Sequence, residues 1–220
     1  MKKYVYSLLI LINVFILMIS VSVPAAAEQD GGDVTEETLI IRTGHLKQSG
    51  DKIEGTGGIT MIKGDVNITG NRGIFFEEEE KAEISGDVLL EHDKGRIESQ
   101  EMMGWIQQDR YIFEKNVSLI QQLDDGSFDL EAPYLELLTV DNSFQAREGV
   151  VIEYNERTLK GNEVDYNDNE QTLSLSGNVY IEEEDGDWVR SETAIFYLDT
   201  EEFNADGSVE LEIKISSGDN

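Results

Sequence analysis

The chain has 220 residues, 46 acidic against 17 basic side chains, a net charge of −29 and no cysteine. A field of that sign repels phosphate backbones and anionic membrane surfaces, which excludes nucleic acid as a partner. With no disulfide framework available, stability rests on burial and backbone pairing.

The first predicted element is a targeting segment. Lys2 and Lys3 precede an apolar run from Tyr4 to Val23, then Pro24 and Ala25-Ala26-Ala27 before Glu28. A basic start, an apolar centre and a small-residue end predict a signal peptide cleaved after Ala27, and hence an exported, periplasmic protein. The run also approaches the ~20 residues that span a bilayer, so an uncleaved inner-membrane anchor is the alternative. Cleavage removes two basic residues and no acid, deepening the charge to −31. Residues 28–38 read as a flexible acidic segment and 216–220 as a disordered tail. One domain is expected over 39–215.

That domain repeats. Val66, Val88, Val117, Val150, Val179 and Val209 recur at spacings of 22, 29, 33, 29 and 30 residues. Four of them follow a Gly-polar step: Gly64-Asp65, Gly86-Asp87, Gly177-Asn178 and Gly207-Ser208. Lys115-Asn116 replaces the glycine before Val117, and Glu148-Gly149 shifts it by one before Val150. Counting back in twos from the valines meets Ile62, Ile84, Phe113, Phe144, Leu175 and Phe203. Counting forward meets Ile68, Leu90, Leu119, Ile152, Ile181 and Leu211. Intervening positions are mostly polar. Alternate side chains of a strand point to opposite faces, so the pattern predicts strands with one apolar and one wet face.

Second strands are expected over 96–105, 127–137, 158–166 and 187–198, separated by turn clusters such as Glu91–Gly95 and Tyr154–Arg157. Asn, Asp and Gly tolerate the left-handed conformations that tight turns need. Strands at regular intervals without a long 3.6-period segment predict an all-β fold with no substantial helix. A unit of about 30 residues cannot bury its apolar face alone, and stacking five or six units makes two facing sheets.

Catalytic chemistry has little to work with, and neither an enzyme nor a cofactor is expected. His45 and His92 lie in polar, turn-like contexts and read as solvated, so no zinc site is expected. The oxygen-rich stretches at 124–126, 165–170 and 182–187 lack the ligand and glycine spacing of a 12-residue calcium loop and read as solvated turns. On the residues alone, the inward apolar set is a sandwich core.

The recurring Gly-Asn/Asp-Val-x-Ile/Leu step resembles the OstA-like lipopolysaccharide-transport family, and its LptA-like bridge members in particular. A strand such as Leu159-Lys160-Gly161-Asn162-Glu163-Val164-Asp165-Tyr166 accompanies the step. Leu159–Ile181 carries the resemblance best, Ser191–Leu198 with Gly207-Ser208-Val209 repeats it, and it spans roughly 39 to 215. The resemblance implies stacked antiparallel strands forming a folded-over, V-shaped β-jellyroll whose groove holds the acyl chains of lipopolysaccharide or a related amphipathic glycolipid. It implies a ligand-lining role for Ile62, Val66, Ile68, Ile84, Val88, Leu90, Phe113, Val117, Leu119, Phe144, Val150, Ile152, Leu175, Val179, Ile181, Phe203, Val209 and Leu211. It further implies head-to-tail association, with itself or with other bridge proteins, through the terminal strands. A self-polymerising envelope or adhesin-like protein is the competing expectation.

Overall fold

The computed structural model describes residues 38–215, Asp125 excepted. The predicted signal segment, nearly all of the 28–38 stretch and the 216–220 tail lie outside the described residues. Thirteen strands follow in chain order: Leu39–Ser49 (β1), Lys52–Lys63 (β2), Val66–Phe76 (β3), Lys81–His92 (β4), Gly95–Trp105 (β5), Arg110–Leu123 (β6), Gly126–Leu138 (β7), Ser143–Tyr154 (β8), Arg157–Asn167 (β9), Thr172–Glu182 (β10), Trp188–Tyr197 (β11), Phe203–Asp206 (β12) and Glu210–Glu212 (β13). Among the described residues the one helical element is a 3-10 turn over Ile106–Gln108. From β1 to β12 each strand pairs antiparallel with the next in one open sheet, and β13 pairs with β11 beside β12, so that the two short strands share the last edge. The fold is all-β, as the period-two alternation predicts.

The strands are long, yet the pairing register slips near their middles, for instance between Ser85 and Val88, Glu114 and Val117, and Arg147 and Val150. On every second strand two residues turn left-handed at that point. Gly57-Gly58, Gly86-Asp87, Lys115-Asn116, Glu148-Gly149, Gly177-Asn178 and Gly207-Ser208 have φ between +47° and +96°. Such bulges bend a strand and sharpen its twist. Aligned from strand to strand, they form a fold line that turns the sheet back over itself.

The Gly-polar step of the repeat is therefore a corner, and glycine recurs there because positive φ costs it nothing. The first copy is the exception. Gly64-Asp65 is the hairpin turn between β2 and β3, and the corner of β2 is Gly57-Gly58, followed by Ile59. Putting Ile59 in place of Val66 changes the first spacing from 22 to 29 residues, in line with the others. It also reverses the parity of β2. Ile62 pairs with Asn67 on the outer face, while Ile59 and Met61 are buried at 5% and 2% exposure.

Glu148 and Gly149 provide a test free of packing, since Glu148 is exposed with φ +71° and a side chain on Gly149, at φ +96°, would meet no atom within 4 Å. A left-handed L-residue costs about 1–2 kcal/mol, of which added unfolded-chain entropy takes back about 0.5–1 kcal/mol when glycine replaces it. Glu148→Gly is expected to raise stability by about 0.5–1 kcal/mol and Gly149→Ala to lower it by about 1 kcal/mol, read from urea midpoints.

Folding along the corners produces two facing layers. One ends in the hairpin turns β2–β3, β4–β5, β6–β7, β8–β9 and β10–β11. The other ends in the remaining turns. The ring of Phe128 in the first layer lies 6.1 Å from that of Phe144 and 5.6 Å from that of Tyr166 in the second, and Tyr154 meets Phe196 across the same gap at 5.9 Å. The core is the space between the layers.

Candidate functional site

Successive strands contribute one apolar residue each to ladders along the inner wall. The main ladder of the first layer runs from Ile41 to Leu211 through Ile68, Leu119, Ile152 and Ile181, all in register. Facing it, the second layer presents Ile84, Phe113, Leu135, Val164 and Leu175, all buried at 2% exposure or less. This is a continuous apolar surface the length of the molecule.

The structure brings most of the predicted inner residues together. Val66, Ile68, Ile84, Val88, Leu90, Phe113, Val117, Leu119, Phe144, Val150, Ile152, Leu175, Val179 and Ile181 are buried on the inner wall, none more than 5% exposed. One predicted position is corrected, and three at the chain's end are less covered than the rest. Ile62 faces outward, because counting in twos through Gly64-Asp65 crosses a hairpin turn. Val209 and Leu211 keep the inner parity but are 53% and 59% exposed, since among the described residues no strand follows β13 to cover them. Phe203 is half-buried against the end of the core. Sequence reasoning passed over Ile97, Leu130, Leu159 and Val189 on the odd-numbered strands, which complete the ladders. Their alternation was present in the sequence, without a glycine to mark it.

The two ends differ from the middle. At the β1 edge Leu46 is 51% exposed, and after β13 Ile213 and Ile215 continue the exposed apolar series. Among the described residues neither edge is paired on its outer side, and an open strand edge is the usual template for another chain.

Opposite the fold line is the mouth, and there the layers are joined by side chains. Lys63 reaches across to Asp109 at 2.6 Å and to the Ile106 carbonyl at 2.8 Å, while Lys94 lies 3.8 Å from Asp168. The Tyr154 hydroxyl donates to the Leu198 carbonyl at 2.9 Å, and Arg157 bridges to Glu201 at 2.8 Å. Burial pushes the Tyr166 hydroxyl well above its ordinary range, and it donates to Asp168 at 2.6 Å. Among the described residues no strand pairs across the mouth, so no backbone ladder joins the layers there.

His92 is a second correction. It is not a solvated turn residue: its side chain is 12% exposed and lies between Asp65 and Asp93 at the mouth. Outside the layers, charges pair across strands. Arg110 donates to Glu136 at 2.6 Å, which, with a Tyr134 hydroxyl bond, holds that carboxyl below the usual carboxylate range against the opposing effect of burial. A cleft of about 360 Å³ is lined by Ile74, Met103 and Ile112 together with Arg72, Glu83, Glu101 and Glu114. No helix among the described residues is long and apolar enough to cross a membrane.

An open antiparallel sheet folded once along a line of bulges, with an apolar interior and two free edges, defines a folded-over β-jellyroll. Among solved structures the chain is similar to LptH, the LptA homologous periplasmic component of the lipopolysaccharide transport device of Pseudomonas aeruginosa. The likeness has a TM-score of 0.50 at 13% identity and covers 55% of this chain and 95% of that one. At that identity it is a likeness of fold. No protein-family model matches the chain, and no curated protein matches it by sequence.

Proposed function

We propose that the protein is a periplasmic carrier of lipopolysaccharide or a related glycolipid, forming part of a bridge between inner and outer membranes. The observation that carries this reading is the unbroken apolar inner wall, exposed at both terminal edges around Leu46 and Leu211. Each buried acyl CH₂ contributes about 0.8 kcal/mol, so several chains between the layers give firm but exchangeable binding. The interior is filled by the protein's own side chains, so loading would have to separate the layers at the mouth, where side chains hold them. The free edges of β1 and β12–β13 would pair with a second copy or a neighbouring bridge protein by strand addition.

The exported protein, purified in mild detergent, is expected to retain glycolipid detectable by native mass spectrometry. Lipid-free protein that also fails to take up a photo-crosslinkable lipopolysaccharide would overturn the proposal. The filled interior favours a second reading, a self-assembling envelope protein that uses its edges alone. Lipid-free fibres that lengthen with concentration would select it.

A further inference from the structure

We propose that the mouth carries a binding site for the phosphate groups of a glycolipid headgroup, with Lys63, Lys94 and Arg157 as its cations. The inference rests on the carrier reading above and adds which residues select the ligand. Lys63 ends β2, Lys94 lies in the β4–β5 turn and Arg157 begins β9, so all three stand on the mouth edge of the first layer. Their partners across the mouth, Asp109, Asp168 and Glu201, stand on the second layer at 2.6, 3.8 and 2.8 Å. The three cross-layer ion pairs share one polarity, cation on the first layer and carboxylate on the second.

That polarity gives each cation a stand-in anion. The second-layer turns, at 50–51, 77–80, 106–109, 139–142, 168–171 and 198–202, contain no lysine or arginine. Lys63 and Arg157 are withdrawn from solvent, with side chains 13% and 19% exposed, while Lys94 is 40% exposed. A largely buried cation needs an anion beside it, because an unpaired charge out of water is costly. In the closed protein the second-layer carboxylates fill that role. Loading acyl chains has to part the layers, and parting them draws Asp109, Asp168 and Glu201 away from their cations. A phosphate entering with the chains restores the lost pairing, and it brings more charge and more acceptor oxygens than the carboxylate it replaces.

The spacing suits a headgroup with separated anionic groups. Lys63 and Asp109 meet in a cleft of about 190 Å³, lined also by Asp65, His92, Thr139 and Val140. Two to three strand spacings of ~4.8 Å separate Lys63 from Lys94, which puts their backbones about 10–14 Å apart along the edge. That is comparable with the length of a disaccharide phosphorylated at both ends. Arg157 stands further along the same edge. It keeps Glu183 on its own layer and frees the prong that holds Glu201, leaving a planar donor for a phosphate oxygen. The net charge of −29 opposes an anion at a distance, but in ~0.15 M salt that field is screened beyond about 8 Å.

The test measures the affinity of the exported protein for lipid A carrying its phosphates and for the same lipid with the phosphates removed. Wild type is expected to prefer the phosphorylated form. K63M and D109N break the same ion pair, so any loosening of the mouth is common to both, and circular dichroism checks that both keep the β-rich fold. K63M removes the cation and should cut the preference about tenfold. D109N removes only the competing carboxylate and should raise it about threefold, as should E201Q. Inorganic phosphate without acyl chains does not part the layers and should not bind. Equal affinity of wild type for the two lipids, or changes of the same sign in K63M and D109N, would overturn the proposal and leave the carrier reading standing. Saturable binding of inorganic phosphate to the lipid-free protein would overturn the assignment to a headgroup. Uptake of neither lipid would overturn the carrier reading, and this inference with it.

Discussion

Phe113→Ala is expected to destabilise the protein by about 3–5 kcal/mol, the range for emptying a buried aromatic site. Phe113 is 0% exposed in β6, midway along the array, in register with Met102 on one side and Leu135 on the other. The inner wall has no loose end near it to collapse into the space, so the cavity cost is close to its maximum. Against a total stability of about 5–15 kcal/mol, that loss shifts the urea midpoint strongly while leaving the slope of the transition unchanged. Phe203→Ala supplies the comparison. Phe203 is half-buried on the last strand, and its loss should cost less than half as much. Equal losses at the two sites would mean that the apolar wall does not end where β12 ends. Glycolipid binding adds a second readout, since a ligand that binds only the folded state raises its stability. If the space between the layers admits acyl chains, the deficit of Phe113→Ala shrinks when saturating glycolipid is added.

Much of the architecture was legible because a two-layer β fold imposes period-two alternation on every strand. Ile84, Val88 and Leu90 were identifiable from β4 alone. The second-strand boundaries fell within one or two residues of β5, β7, β9 and β11, because turn residues cluster where antiparallel strands must reverse. What the sequence concealed was the meaning of glycine. Gly64-Asp65 and Gly86-Asp87 read alike, yet the first closes a hairpin and the second bends a strand, since both tasks require positive φ. One misassigned glycine reversed the parity of β2 and placed Ile62 inside. Termination was hidden as well. Val209 and Leu211 keep the inner pattern, but burial depends on the next strand, which local sequence does not describe. His92 shows the third limit. Its polar neighbours predict exposure, whereas Asp65 reaches it from a turn 27 residues earlier in the chain, and sequence spacing carries no trace of that meeting.

Arg157→Ala is expected to cost about 2 kcal/mol at neutral pH and low salt, below the ~3–5 kcal/mol of a fully buried pair because its partners are partly solvated. The Arg157 side chain is 19% exposed, donates to Glu183 at 2.7 Å and to Glu201 at 2.8 Å, and lies 5.7 Å from the centre of the Phe196 ring. It borders a concavity with Glu156, Glu183, Glu184, Asp185, Asp187 and Glu201, so its removal leaves carboxylates facing one another. Glu184 already shows the strain: a shared hydrogen bond with Glu156, reinforced by that residue's charge, raises its carboxyl above the ordinary range. A carboxyl raised by folding costs stability at neutral pH, and the cost disappears as pH falls through its folded value towards its unfolded one. The gap between wild type and Arg157→Ala should therefore narrow on mild acidification. It should narrow again at about 1 M salt, where the screening length falls to about 3 Å. Arg157→Lys keeps the charge but not the two-pronged span, so it should restore only part of the loss. A deficit that ignores both salt and pH would assign Arg157 to packing on Phe196 rather than to holding the acidic turns of the two layers together.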